Sequence, residues 1–138
     1  MKTASLVAQY LLALIFLVFG MNHYVNFIHT GPLPTGIAGQ FFGALMVSHY
    51  LYVVAFLEVA PAILLLINRY VPLALVILGP VIVNIFLTGL LISAFALPMS
   101  VLLIILWLLA AWPVRSIFLP LVRQRVAGSE HRSERKAA

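Results

Sequence analysis

Apolar residues follow one another along this chain in runs that are too continuous for the half-buried helices of a water-soluble domain. The first run, 4–21, can span a hydrocarbon layer of about 30 Å at a rise of about 1.5 Å per residue. No small-x-small cleavage pattern follows it, so we expect a retained helix and not a signal peptide. Similar runs cover 72–94 and the stretch from the turn at 95–100 to about 118.

The run 37–67 is too long for one ordinary crossing, and it contains a polar interruption at Ser48 and His49. We predict a break there, with a short interfacial or re-entrant helix that ends near Val47 and a spanning helix over about 49–67. Ser48 is expected to be the N-cap of the second piece, because its hydroxyl can accept an amide hydrogen of the first helical turn.

The segments between the runs contain Gly, Pro or polar residues, which favour loops and turns. They are 29–36, 68–70 and 95–100. The whole pattern predicts an all-α integral membrane protein, a four-transmembrane-helix bundle with a short interfacial helix between the first and second spanning helices.

Composition agrees with a membrane environment, and charge indicates an orientation. The chain is 64% hydrophobic and 8% charged, whereas soluble domains carry about 25% charged residues. Lys2, Arg69 and Arg115 fall on one side of the four-helix layout, and the two other connections carry no Lys or Arg. The positive-inside rule then places both termini in the cytoplasm, and we expect a bacterial cytoplasmic membrane.

Basic residues are concentrated from Arg115 to the end of the chain. We predict a transmembrane bundle over 1–122 and a disordered, basic cytoplasmic tail over 123–138 that contacts the lipid bilayer. Such a flank is typical of membrane proteins and does not indicate nucleic-acid binding. The chain has no Cys, which excludes a disulfide, a thiolate nucleophile and a Cys-ligated metal centre within it.

Glu58 is the only acidic residue before the tail, and it lies near the middle of the second spanning run. A charged side chain there costs at least ~2.5–3.5 kcal/mol, and because no Lys or Arg can reach it we expect an uncharged carboxyl. Pro61 lies within the same helix and leaves the carbonyl of Leu57 without its helical donor. A purely structural hydrogen bond between helices is worth about 0.6–2 kcal/mol, so we favour a site of proton exchange.

The third spanning helix repeats this arrangement. Pro80 frees the carbonyl of Val76, Asn84 follows one turn later at a similar depth, and Thr88 shares its face. We expect a hydrogen bond between the side chains of Asn84 and Glu58.

Three histidines, His23, His29 and His49, fall at the predicted outer ends of the helices. They could bind a metal ion or haem or relay protons, but no H-x-x-x-H spacing supports this, and we expect surface side chains and no metal site. His23 shares a face of its helix with small residues that mark a packing side, whereas His49 lies opposite Glu58 around its helix. The tryptophans, including Trp107, are explained by an aromatic belt at the membrane surface.

These features resemble the DoxX family of small four-helix membrane proteins over residues 5–93. The similarity is carried by FLVFGMNHYVNFI, FLEVAPAILLLI, RYVPLAL and PVIVN, in that order. It implies membrane oxidoreductase complexes, including subunits similar to those of thiosulfate:quinone oxidoreductase. The family also includes eukaryotic relatives that assist receptor assembly, so the resemblance does not imply one activity.

The resemblance also implies polar site positions at Asn22, Glu58 and Asn84. Two positions depart from the family pattern. His23 stands where many relatives have Lys, and the pair that begins at Thr88 stands where many have an aromatic residue and a His.

The first functional interpretation is an accessory or quinone-site component of a membrane oxidoreductase complex. Glu58 would take up a quinol proton, Asn84 or Gln40 would hold a quinone oxygen, and Asn22 and Thr88 complete the expected ligand-binding set. A membrane or redox protein partner would supply electrons, and a homo-oligomer is the other expected assembly. The alternative is a non-enzymatic binding or chaperone module that holds a lipophilic ligand or a partner helix. A small transporter has little support without an inverted repeat.

Overall fold

The computed structural model describes residues 1–29 and 31–122. Within these ranges the chain is helical and has no strand, as the apolar runs predict. The predicted tail, 123–138, lies outside the described residues.

The first apolar run forms a single helix, α1 (Lys2–Val25). It ends where Asn26 adopts the left-handed conformation (φ 50°, ψ 47°) and donates its amide hydrogen to the carbonyl of Asn22. Asparagine tolerates this conformation better than most residues, because its short polar side chain bonds locally. The helix therefore extends past the apolar run that ends at residue 21, and its last turn carries His23.

A sharp bend separates the next two helices, α2 (Gly36–Val47) and α3 (Tyr50–Leu66), whose axes differ by 81°. The bend lies at His49, which is in the left-handed conformation (φ 58°) and is the N-cap of α3. The predicted break is therefore confirmed, but the prediction of Ser48 as N-cap is wrong. The Ser48 hydroxyl makes a long contact, accepting the amide hydrogen of Tyr50 at 3.4 Å.

Proline lies in the first turn of both remaining long helices, α4 (Val71–Leu91) and α5 (Leu97–Ala111). At that position its missing amide hydrogen costs no helical hydrogen bond. The short 3-10 turn Ala94–Ala96 joins the two helices. After α5 the chain continues through the four-residue helix α6 (Arg115–Phe118), which has a 3-10 turn on either side.

Three helical segments of the described chain are long and apolar enough to cross a membrane: α1, α4 and the segment Ala94–Val122. The number rises to four if the bent pair of α2 and α3 counts as one span. Length and composition thus indicate an integral membrane protein whose helices contact the lipid bilayer.

The four long helices pack as a ring of neighbours, in which α1 and α4 each contact both α3 and α5. At one end of the α1–α3 pair, Gln9 donates from Nε2 to the carbonyl of Leu65 at 2.9 Å. At the other end, the Tyr24 hydroxyl donates to the carbonyl of Tyr52, also at 2.9 Å. These bonds show that α1 and α3 are antiparallel. The core between the helices is built mainly from Ala and Leu: Ala8, Leu12, Ala13, Phe16, Ala62, Leu65, Ala74, Leu75, Leu78 and Leu103.

Gly20 allows a close approach of α1 to α3. A Cβ atom at this position would lie 2.7 Å from Cγ2 of Val59 and 3.1 Å from Cβ of Glu58. The carbonyl oxygen of the buried Ala55 would be 3.3 Å away. Interiors this tightly packed leave no room for an added methyl group, and small residues at such contacts are usual for helix pairs in membranes.

Trp107 connects α5 to α4. Its indole Nε1–H donates to the carbonyl of Leu75 at 2.9 Å, and its ring lies beside Gly79. Trp107 therefore serves packing between helices, whereas the sequence pattern suggested a membrane-surface belt.

We expect Gly20→Ala to lower the melting temperature of the protein in mild detergent, because overpacking a helix contact costs about 1–3 kcal/mol. Gly79→Ala is the matched control: it also adds a methyl group inside a helix, but the nearest atom, on the Trp107 ring, is 3.7 Å away. Melting followed by tryptophan fluorescence measures both variants. Equal melting temperatures would contradict the close approach of α1 and α3.

Candidate functional site

Glu58 is the central residue of α3, and the residue is 5% exposed. Ala55 and Ala62, which lie on the same face of α3, are fully buried, and Gly20 covers this face from α1. The Oε2 atom of Glu58 is buried without a hydrogen-bond partner among the described residues. Leaving a buried polar atom unpaired costs about 1–3 kcal/mol, and no hydrogen bond within the described structure offsets this cost at Oε2.

His23 faces Glu58 from the last turn of α1. Its Nε2 atom lies 3.7 Å from the Oε2 atom of Glu58. This distance is longer than the usual hydrogen-bond length of about 2.9 Å, and a small side-chain movement would be enough to form the bond. His23 reaches this position because it lies three residues after Gly20, on the side of α1 that packs against α3. The site thus places a half-buried imidazole beside a buried carboxyl group, in apolar surroundings.

This pairing of Glu58 and His23 differs from the sequence-based expectation, which placed His23 at the membrane surface and chose Asn84 as the partner. In the structure the two side chains of Asn84 and Glu58 are not hydrogen-bonded to each other. One signal did point to the pair: His23 shares the packing face of α1 with Gly20.

Two clefts meet at this pair. The wide cleft, about 360 Å³, lies between α2, α3 and α4, and the narrow cleft, about 200 Å³, extends between α1, α4 and α5. Glu58, His23 and Ile85 line both clefts. The wide cleft is further lined by Phe41, Phe42, Leu45, Tyr50, Leu51, Val54, Asn84, Thr88 and Ala96. The narrow cleft is further lined by Ile15, Phe16, Phe19, Met99 and Leu103.

Asn84 and Thr88 lie on the α4 side of the wide cleft, together with Glu58 from α3. The Thr88 hydroxyl donates to the backbone carbonyl of Asn84 at 2.9 Å. The two polar side chains therefore share a cleft with the carboxyl without bonding to it, which leaves the Asn84 amide available to a ligand.

Asn22 and Gln40 have other positions. Asn22 holds the loop after α1: its Oδ1 accepts the amide hydrogen of Ile28 at 2.6 Å, and its Nδ2 donates to the Ile28 carbonyl at 3.3 Å. Gln40 is exposed on α2 and lines neither cleft, whereas the next residues, Phe41 and Phe42, line the wide one. Three of the five residues predicted to bind a ligand thus come together, and His23 joins them.

The two other histidines of the described residues, His29 and His49, lie apart from the carboxyl. His49 stacks on Tyr52 with ring centroids 5.6 Å apart, and His29 is exposed in the loop after α1. Residues 1–29 and 31–122 contain no group of three His, Cys, Asp or Glu side chains that could hold a metal ion.

Basic side chains lie at the opposite end of the helices. Lys2 begins α1, Arg69 lies in the turn between α3 and α4, and Arg115 follows α5. The antiparallel packing brings these three to one end, whereas His23 and α2 are at the other. His23 is therefore the ionisable side chain that the described structure places against the Glu58 carboxyl.

Comparisons with known proteins leave this site to be interpreted from its own chemistry. The chain matches no family model, no curated protein and no solved structure. The resemblance to the DoxX family accordingly stays a prediction from sequence motifs.

We expect the infrared carboxyl band of Glu58 to shift in the His23→Phe variant, because the imidazole faces its Oε2 atom. His49→Phe is the matched control, since it removes a histidine at the same end of the helices that lines neither cleft. Difference spectra of both variants, with Glu58→Gln to assign the band, make the measurement. A band that His23→Phe leaves in place would show that the two side chains do not interact.

Proposed function

We propose that the chain is a DoxX-like integral membrane protein, a four-helix bundle of α1, α3, α4 and α5 with α2 at the membrane surface. The ring of helix contacts and the 81° bend between α2 and α3 support this arrangement. Three basic residues at one end support a topology with both termini in the cytoplasm. We place the protein in a bacterial cytoplasmic membrane.

We further propose that the protein is an accessory or quinone-site component of a membrane oxidoreductase complex. One observation carries this proposal: the unpaired Oε2 atom of Glu58 faces an imidazole where two largely apolar clefts meet. A carboxyl kept for structure in apolar surroundings would be expected to have its hydrogen bonds satisfied within the protein, because no water compensates it there. An unpaired oxygen instead suits a ligand that brings its own hydrogen-bonding group.

The wide cleft fits the chemistry of a quinone. A flat ring suits apolar and aromatic walls, which Phe41 and Phe42 help to form, and the ring oxygens need partners such as Glu58, His23 and Asn84. Its volume of about 360 Å³ falls within the range of about 300–1,000 Å³ typical of small-molecule sites. A quinone would supply coupled electron and proton transfer there.

Within such a site the side chains of this chain would handle the proton. Glu58 would accept or release it at Oε2, and His23 would exchange it at Nε2, since the two atoms are 3.7 Å apart. The apolar walls limit the access of water to this pair. A membrane redox partner would deliver the electrons, because the chain has no Cys for a dithiol relay or an iron–sulfur centre.

The second candidate is a non-enzymatic binding or chaperone module. It is favoured by the lining of the narrow cleft, which beyond Glu58 and His23 is apolar and suits a lipid tail or an apolar helix side chain. In this case Glu58 would anchor the ligand by a hydrogen bond, and binding would exchange no proton.

The proposed topology predicts the behaviour of reporter fusions. A reporter enzyme that works only outside the cytoplasm should stay inactive when fused after Ala138, because the basic end of the helices faces the cytoplasm. The same reporter inserted after Pro32, between α1 and α2, should be active. The opposite pattern of reporter activity would show that the topology is the reverse of the proposed one.

Glu58→Gln should keep the hydrogen-bonding shape of the site but abolish its proton exchange. We expect this variant to bind a soluble quinol analogue within a few-fold of the wild-type Kd, whereas Glu58→Leu should bind about tenfold more weakly or worse, because it leaves the ligand's polar group unpaired. Calorimetric titration of the protein in nanodiscs measures the affinity. Repeating it in two buffers with different ionisation enthalpies gives the number of protons taken up or released on binding.

The wild-type result separates the candidates. Binding with proton uptake or release that Glu58→Gln removes supports the quinone site. Binding without proton exchange supports the binding module, and no binding of the quinol analogue rules out the quinone proposal.

A further inference from the structure

The wide and narrow clefts differ in chemical character. Both include Glu58 and His23, but the wide cleft adds the side-chain amide of Asn84 and the hydroxyl of Thr88. The narrow cleft adds only apolar side chains: Ile15, Phe16, Phe19, Met99 and Leu103. A cleft with polar side chains on its otherwise apolar walls and a cleft with only apolar additions are thus joined at the buried carboxyl.

The clefts also extend in different directions from the carboxyl. The wide cleft is lined by residues near helix ends, including Tyr50 at the start of α3 and Thr88 in the last turn of α4. The narrow cleft reaches Phe16, nine residues before the end of α1 at Val25, which is about 14 Å at ~1.5 Å per residue. The narrow cleft thus extends along α1 from the level of His23 to that of Phe16, with Glu58 beside it at the middle of α3.

We propose that the two clefts form one binding site for a single-tailed lipophile with a flat ring as its head. The head occupies the wide cleft, where Asn84 faces its oxygens, and the first part of the tail passes Glu58 into the narrow cleft. This inference rests on the proposed function, because it specifies the form of quinone that the site takes: one with an apolar chain.

The sizes and walls of the clefts support a shared occupant. The narrow cleft, about 200 Å³, is below the range of about 300–1,000 Å³ for complete small-molecule sites, so it suits part of a ligand. Met99 and Phe19 form its walls, and a flexible Met adapts readily to the shape of a chain. Lipid and cleft are both apolar, so steric room and not transfer out of water decides whether the tail enters.

The test uses two quinone homologues with the same ring, one with a methyl group and one with a decyl chain. Met99→Trp should weaken binding of the decyl homologue about fivefold or more, because a tail forced against an overfilled cleft costs at least ~1 kcal/mol. It should change binding of the methyl homologue less than twofold. Comparing each variant with the wild type for the same homologue, in nanodiscs of one composition, cancels the difference in lipid partitioning.

Leu102→Trp is the matched control on α5. Leu102 and Met99 are similarly exposed, 43% and 37%, but Leu102 lines neither cleft, so its variant should bind both homologues like the wild type. Asn84→Leu should weaken the binding of both homologues equally, since it removes a hydrogen-bond partner of the quinone ring. If Met99→Trp does not fold, Phe19→Trp fills the same cleft from α1.

The outcomes distinguish this inference from the proposed function. A loss of affinity confined to the decyl homologue supports the shared site. If Met99→Trp binds the decyl homologue as tightly as the wild type does, the shared site is overturned, whereas the proposed quinone site is not affected. If neither homologue binds the wild type, the proposed function fails, and the shared site fails with it.

Discussion

The close contact between α1 and α3 determines where the Glu58 carboxyl and the His23 imidazole lie relative to each other. Gly20 removes the side chain that would hold the two helices apart, and Gln9 and Tyr24 bond α1 to the carbonyls of α3 towards either end. With the pair fixed at three levels, the last turn of α1 is held against α3, and His23 comes to lie over Glu58. A wider separation would leave the carboxyl facing lipid, where its unpaired oxygen would cost more.

Sequence patterns predict the helices well where the signal is local. The apolar runs mark the long helices, and the polar interruption in the run 37–67 marks the bend at His49. The end of α1 was less predictable, because it depends on Asn26 adopting a left-handed conformation within a segment that still contains apolar residues. The prediction kept His23 on the packing face of this helix but placed it at the membrane surface, and so left it out of the site.

The site itself depends on how the helices are rotated about their axes, and one sequence does not reveal this. Glu58 and Asn84 lie at similar depths, which suggested a hydrogen bond between them. Rotation is set by distant contacts, such as Gly20 on Val59 and the Trp107 indole on the Leu75 carbonyl. The burial of Glu58 was predictable from the free-energy cost of exposing a carboxyl group to lipid, whereas the identity of its neighbour, His23, depended on these contacts.

Asn22 links the surface loop to the interior of the protein. Its side chain bonds both the amide and the carbonyl of Ile28, so the loop folds back onto the last turn of α1, one residue from His23. A displacement of this loop would therefore be passed to the turn of α1 from which the imidazole faces the carboxyl of Glu58. A single asparagine thus ties the position of the surface loop to that of the helical turn whose imidazole faces the buried carboxyl.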